Sequence, residues 1–213
     1  MEIGQNLKNS YLAAYAIACK ELIDRDPEEI SINTNAVYDR EDGVLTVKYL
    51  NRDYSVNCHT GEVATQTVGE EVATTTKILI LHYLLHSRIR PLSGNLVSFK
   101  DLRKGAAIYY PSFHKRAVVP LLKTFGNNLA GLFNAAYKLG GVKERYGHAS
   151  VSIQVLPLVP VTYVLWQGDE EAPASATILF DDSVESFLPA EDIVCAASFG
   201  VYELIKILHS SGS

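Results

Sequence analysis

The stretch VTYVLWQGDEEAPASATILFDDSVESFLPAED, Val161–Asp192, decides the fold class of this chain. It contains two apolar runs of strand length, Val161–Gln167 and Ala176–Phe180, joined by an acidic turn. The run LPAED then places Pro189 at the first position of a helix, where its missing N–H costs nothing. Two consecutive strands with a short connection followed by a helix predict an antiparallel hairpin covered by a C-terminal helix.

The first third of the chain predicts one helix and a β-meander. A helical apolar period covers Gln5–Asp24, and Asp26-Pro27 is expected to end that helix. Alternating apolar and polar residues then predict three short strands separated by turn residues. These strands are Ala36–Asp39, Val44–Leu50 and Tyr54–Cys58.

The middle of the chain is predicted to be helical. Two capping-box patterns, Thr67–Glu70 and Ser98–Asp101, are expected to open helices, the first of which would run to about Ser87. Two further helices are predicted over Tyr110–Phe125, kinked or split at Pro120, and over Leu129–Leu139; a strand follows at Ala149–Val155.

Strand runs and helix runs are thus segregated along the chain, which predicts an α+β fold: antiparallel β-meanders flanked by helices, a helical middle segment and a C-terminal helix packed on the sheet. We expect a single domain over residues 1–213, with an N-terminal helix and meander (1–66), a helical middle (67–141) and a C-terminal meander and helix (149–209).

Composition limits the possible functions. The chain has 213 residues, 47% of them hydrophobic, and a net charge of −5, so no nucleic-acid partner is expected. The apolar runs are too short for a membrane span, and the N-terminal sequence does not resemble a signal peptide. Three dispersed cysteines fit a reducing, cytoplasmic location.

The acidic turn is the first candidate site. An indole at Trp166 would give an apolar platform, and the carboxylates of Asp169 and Glu170 could accept hydrogen bonds from a ligand. The structural alternative is an acidic hairpin turn anchored by a tryptophan.

The end of the second strand and the start of the last helix carry further candidates: Phe180, Asp181, Glu191 and Asp192. We expect these residues to converge with the acidic turn on one ligand pocket, although the two carboxylates in the first helical turn also have a structural role against the helix dipole. No metal site is predicted, because no calcium-loop pattern is present.

Two histidines, His82 and His86, lie four residues apart, a spacing that can bind zinc. The glutamate of the metalloprotease pattern is missing after His82, so packing with a hydrogen bond to a neighbour is the preferred interpretation.

A basic and aromatic stretch supplies the last candidates, Phe113 and Arg116. Arginine beside aromatic rings can hold an anionic ligand. The alternative is a structural arginine paired with the acidic cluster.

Several segments together resemble a prokaryotic family described as domain of unknown function 3786. The resemblance implies no established activity; it does imply an anaerobic setting, and some members carry an iron–sulfur segment similar to that of corrinoid proteins in one-carbon metabolism. That four-cysteine segment is not present in this sequence, and Ala172 stands where members often have an aromatic residue. The segments that carry the resemblance are Leu81–Leu85, Pro91–Gly94, Val97–Leu102, Leu158–Glu171 and Ile178–Asp192.

The preferred functional hypothesis is a non-catalytic accessory protein that binds a small ligand or a protein partner, possible contexts being anaerobic cofactor or one-carbon metabolism. One alternative is an enzyme in which Asp169 or Glu170 acts as general base while Arg116 holds an anionic substrate. Another is a structural interaction module that forms a homodimer. The cofactor, if any, is unknown.

Overall fold

The computed structural model describes residues 2–210 except residues 66, 68 and 104, and it leaves the side chains of residues 2–5 and 7 undescribed. The first part of the chain forms two helices and a four-stranded antiparallel meander in the order β1-β2-β3-β4. These elements are α1 (Glu2–Ile23), α2 (Pro27–Thr34), β1 (Val37–Asp39), β2 (Val44–Tyr49), β3 (Arg52–Asn57) and β4 (Val63–Thr65).

Two local predictions in this region are wrong. Pro27 begins a helix instead of only ending one: the Asp26 side chain accepts a hydrogen bond from the Glu28 N–H, which caps α2. The turn between β2 and β3 is Leu50–Asn51 and not 51–53, because both residues adopt positive φ, at 46° and 62°. This is the geometry of the tight turns that match strand twist.

The middle segment contains a long helix, α3 (Thr74–His86), and three shorter ones. The box at Thr67–Glu70 does not open α3, whose first residue lies four positions later; Glu70 instead pairs with Arg52 at 3.2 Å. The second box is confirmed, with Ser98 and Asp101 capping a short 3₁₀ turn. The remaining helices are α4 (Ala106–Phe113), α5 (Val119–Phe125) and α6 (Leu129–Lys138).

A π-helical turn, His114–Val118, joins α4 to α5. Within it the Val119 N–H donates to the His114 carbonyl, five residues back. Pro120 has no N–H to offer the carbonyl of Arg116, so a regular α-helical ladder cannot pass this point. The kink predicted at Pro120 therefore takes the form of the π-helical turn His114–Val118, which lies just before the proline.

The last third forms a five-stranded antiparallel sheet in the order β5-β9-β8-β7-β6, covered by the final helix α7 (Ala190–Ser210). α7 packs closely on this sheet at Gly200, beside which the Tyr163 hydroxyl donates to the carbonyl of Ala197 at 3.1 Å. The strands are β5 (Leu96–Ser98), β6 (Val142–Lys143), β7 (Ala149–Leu156), β8 (Val159–Trp166) and β9 (Ser175–Asp181).

Buried side chains from both sheets and from the helices form one hydrophobic core. The Leu50 N–H donates to the Val155 carbonyl at 3.0 Å, which ties the first sheet to the second. Antiparallel sheets with segregated helices confirm the predicted α+β class. Among the described residues, α7 alone is long and apolar enough to cross a membrane, but its apolar face lies in this core.

Candidate functional site

A cleft of about 490 Å³ lies where the N-terminal end of α7 meets α1, α3 and the π-helical turn. We call it the α7 cleft. Its walls are mainly apolar and aromatic, and its polar groups come from α3, α7 and the π-helical turn. The lining residues are Tyr11, Ala14, Thr75, Ile78, Leu79, His82, Gly105, Tyr109, Arg116, Pro189, Ala190, Glu191, Asp192, Cys195 and Phe199.

Arg116 reaches the cleft from the π-helical turn and is half-buried. Its guanidinium donates to the Sγ of Cys195 at 3.8 Å, and among the described residues no carboxylate forms an ion pair with it. Burial raises the pKa of the Cys195 thiol although Arg116 opposes this, so the partner of the guanidinium is a neutral thiol. Thiol sulfur is a weak acceptor, which leaves most of the donors of Arg116 free.

His82 and Asp192 form a hydrogen-bonded pair in the same cleft. The Nδ1 of His82 lies 2.7 Å from the Oδ2 of Asp192, and the carboxylate is buried. The hydrogen bond that His82 donates to Asp192 raises the pKa of His82, against the opposing effect of burial. The expected packing of His82 with a hydrogen bond to a neighbour is thus what the structure shows, but the neighbour lies on another helix and in a cleft.

Glu191 differs from Asp192 because its side chain is exposed at the rim, where it accepts from the Tyr109 hydroxyl at 3.4 Å. Three of the predicted site residues, Arg116, Glu191 and Asp192, are therefore brought together.

The acidic turn is not part of this cleft. Trp166 is 39% exposed at the end of β8, and Asp169 and Glu170 are exposed in the loop after it. The Asp169 carboxylate accepts from the backbone N–H groups of Glu171 and Ala172 at 2.9 and 2.8 Å. These hydrogen bonds lower the pKa of Asp169 and give it the structural role of closing the turn.

The acidic turn lies away from the end of β9 because β8 and β9 run in opposite directions. Trp166 pairs with Ser175, whereas Phe180 pairs with Val161, five residues further along the hairpin. At about 3.3 Å per residue, the acidic turn and the end of β9 are separated by roughly 17 Å. The carboxyl ends of two consecutive antiparallel strands lie at opposite ends of their hairpin, so the convergence expected from sequence does not occur.

Phe113 and Phe180 do meet, but in the core. Their ring centroids are 6.0 Å apart, and both rings pack with Phe99; both are buried and neither lines the α7 cleft. Behind them, Asp181 is buried as well.

Asp181 acts as a structural carboxylate. It accepts from the N–H groups of Ser93, Gly94 and Ser183, which fixes the loop before β5 against the end of β9. Burial opposes ionisation, but the hydrogen bonds from Ser183, Ser93 and Gly94 lower the pKa of Asp181 overall.

A second cleft of about 360 Å³ shares Thr75 and Phe199 with the first. Its cations are paired: Arg52 lies 3.2 Å from Glu70, and Lys206 lies 3.4 Å from Glu203. Within the part of the chain that the structure describes, no three His, Cys, Asp or Glu side chains are placed to hold a metal ion. The free guanidinium of Arg116 therefore distinguishes the α7 cleft.

Sequence reasoning missed the roles of His82, Tyr109 and Cys195 in the cleft. His82 lies on a helix that is apolar on most sides, where a polar residue gives little indication of the direction it faces, and the half-buried Cys195 also fits a core position. Tyr109 begins the basic and aromatic stretch Tyr109–Arg116, which is the sequence signal for its place in the cleft.

The comparisons with known proteins give one family. The sequence profile described as domain of unknown function (DUF3786) matches residues 26–203. No curated protein matches the chain, and no solved structure does.

Proposed function

Because the chain belongs to the DUF3786 family, a domain of unknown function, we propose a function from the α7 cleft itself. The protein binds a small, largely apolar molecule that carries an acidic group, and it does so as a non-catalytic accessory protein. The observation that carries this proposal is the half-buried Arg116 guanidinium, which faces a mainly apolar cleft and, among the described residues, has a neutral thiol as its one side-chain partner.

The form of the cleft supports a small-molecule ligand. Its volume of about 490 Å³ lies within the usual range for ligand pockets, which are mostly apolar with a few convergent polar groups. Side chains such as Ile78, Leu79 and Phe199 would contact the apolar body of the ligand. Binding would remove this surface from water.

The charge of the cleft supports an acidic group on the ligand. A partly buried arginine is stabilised when an anion satisfies its donors, and carboxylates, sulfonates and phosphates can do so with two hydrogen bonds at once. Asp192 is already engaged by His82, and Glu191 lies at the exposed rim, so neither competes for Arg116.

The setting is also part of the proposal: the dispersed cysteines favour a cytoplasmic location, and the family resemblance implies anaerobic cofactor or one-carbon metabolism. The enzyme alternative that relies on Asp169 or Glu170 has less support, because both carboxylates face solvent outside the cleft. The interaction-module alternative also has less support, since the most exposed apolar side chains, such as Ile108 and Tyr137, lie on different helices.

A pair of fluorescent probes tests the proposal. Anilinonaphthalene sulfonate is apolar and anionic, and phenylnaphthylamine is its uncharged analogue. We expect Arg116→Gln to weaken binding of the sulfonate about tenfold, since a charged hydrogen bond contributes about 1.5–3 kcal/mol. Binding of the uncharged probe should change little.

Lys115→Gln is the matched control, because Lys115 is the neighbouring residue with the same charge but is exposed and does not line the cleft. Equal loss of sulfonate binding in the Lys115 and Arg116 variants would mean that only overall charge matters. That result would refute the assigned site.

A steric test asks whether the ligand enters the cleft at all. Ala14→Trp should fill it and abolish binding of both probes, whereas Ala13→Trp adds the same side chain on an exposed face of α1. Melting temperatures of both variants show whether each is folded. Probe binding that survives in a folded Ala14→Trp variant would contradict the proposal.

A further inference from the structure

We infer that His82 is the second polar anchor of the α7 cleft, so that an oxyanion of the ligand is held between Arg116 and the imidazole. This inference rests on the proposed function and narrows it: the acidic group is an oxyacid anion such as a carboxylate, sulfonate or phosphate, contacted by two cationic side chains.

The first support is the state of the imidazole. Its Nδ1 is taken by Asp192 at 2.7 Å, whereas no hydrogen bond to Nε2 is found among the described residues. The His82 side chain is 28% exposed and lines the cleft. A histidine fixed through one nitrogen by a carboxylate presents the other nitrogen in a defined direction, as at many binding and catalytic sites.

The second support is the placement of the two cations. His82 contacts Asp192, and Arg116 contacts Cys195. Asp192 and Cys195 are one turn apart on α7, a spacing that sets their Cβ atoms about 5–6 Å from each other. The imidazole and the guanidinium therefore contact the same turn of α7 from two different elements, and the inference is that one anionic group reaches both.

The third support is the balance of charge. With His82 protonated, Arg116 and His82 outweigh the single buried carboxylate of Asp192. With His82 neutral, no cationic imidazolium offsets the charge of Asp192, and the carboxylate repels an anionic ligand held by Arg116. The raised pKa of His82 keeps the favourable state present to a higher pH than an ordinary histidine would. The other titratable or charged groups that face this pair are Glu191 on α7, Glu21 on α1, Tyr109 on α4, and His86 and Arg88 at or after the end of α3.

The test is the pH profile of probe binding between about pH 6 and about pH 9, a range that brackets the ordinary pKa of histidine. The sulfonate stays ionised throughout, so a change in its affinity reports on the protein. We expect affinity to be highest at low pH and to fall about tenfold as His82 loses its proton. The uncharged analogue should show no such fall.

His82→Gln should lower sulfonate affinity about tenfold at about pH 6 and flatten the pH profile. His209→Gln is the matched control: it makes the same substitution at an exposed histidine near the C-terminal end of α7, outside the cleft lining. Asp192→Asn provides a second variant, which should move the fall in affinity to lower pH because it removes the carboxylate that holds the imidazolium.

The outcomes separate the two claims. A flat profile in the unmodified protein, or an unchanged profile in folded His82→Gln, overturns the role of His82 while Arg116→Gln still weakens binding. Failure of Arg116→Gln and of Ala14→Trp to affect binding overturns the proposed function itself, and the inference with it.

Discussion

At Gly200 the backbone of α7 lies directly against Tyr163 of the second sheet, and a methyl group there tests the packing of the C-terminal half. A Cβ atom at position 200 would lie 2.0 Å from the hydroxyl oxygen of Tyr163 and 3.1 Å from the ring carbon that carries it. Tyr163 is fully buried, and its hydroxyl is held by the Ala197 carbonyl. The ring cannot turn away, so α7 and β8 would have to separate.

The magnitude follows from two opposing effects. Gly→Ala in a helix interior stabilises by about 1 kcal/mol, whereas forcing extra volume into a packed core costs about 3 kcal/mol. We therefore expect Gly200→Ala to lower the free energy of unfolding by about 2 kcal/mol. Tyr163→Phe alone should cost about 1 kcal/mol through the lost hydrogen bond.

The double variant is decisive. Without the hydroxyl, the closest atom to the new methyl group is the ring carbon at 3.1 Å, so most of the clash disappears. Gly200→Ala should be neutral or slightly stabilising in the Tyr163→Phe background, which gives a coupling free energy of about 2 kcal/mol.

Chemical denaturation followed by circular dichroism measures all four proteins of this cycle. Ala16→Gly, at an exposed position of α1, calibrates helix propensity. Additive effects of the two substitutions, or a stabilising Gly200→Ala in the unmodified protein, would refute the packing described here.

Three other predictions concern stability and fluorescence. Tyr83→Phe should lower the free energy of unfolding by about 1–3 kcal/mol, because the buried hydroxyl donates to the Thr34 carbonyl at 2.7 Å and accepts from the Leu158 N–H at 3.2 Å; a change below about 0.5 kcal/mol in denaturation experiments would contradict this. Asp192→Asn should lower the free energy of unfolding by about 2 kcal/mol at about pH 6 and by less at about pH 9. The reason is that His82, whose pKa is raised in the folded protein, stabilises the fold below its ordinary pKa of 6.5 and loses that contribution as the pH rises through the folded pKa. A pH-independent difference in melting temperature would argue against the ion pair. Trp166 emission should be that of an exposed indole and should not shift when the α7 cleft is filled, and a large shift on probe binding would place the ligand elsewhere.

Most helices and strands could be predicted because their local patterns agree with their packing. In α6, α7 and the strands β7 to β9, the apolar residues recur with the period of the element, and they are the residues buried in the core. The signals for α2 are ambiguous: Asp26-Pro27 fits the end of the preceding helix, whereas Asp26 as a cap and the two glutamates after Pro27 fit the start of a new one. The capping-box pattern Thr67–Glu70 does not mark a helix start, because α3 begins only at Thr74.

The candidate site could be predicted only in part. Arg116, Glu191 and Asp192 were identified from residue type and position, and they share the α7 cleft. The acidic turn does not reach the cleft, because antiparallel pairing sends the carboxyl ends of β8 and β9 to opposite ends of the hairpin. The cleft itself is formed by α1, α3 and α7, which are distant in sequence, and no local pattern records where helices leave a gap.

The walls of the α7 cleft include residues of α1 and of α7, which lie far apart in the sequence. A ligand that contacts Ala14 and Cys195 at the same time would stabilise the packing of α1 against α7. Occupancy would then raise the free energy of local opening of both termini in step with ligand concentration. This coupling predicts that ligand binding slows amide hydrogen exchange in α1 and α7 together and leaves exchange in strands β1 to β4 unchanged.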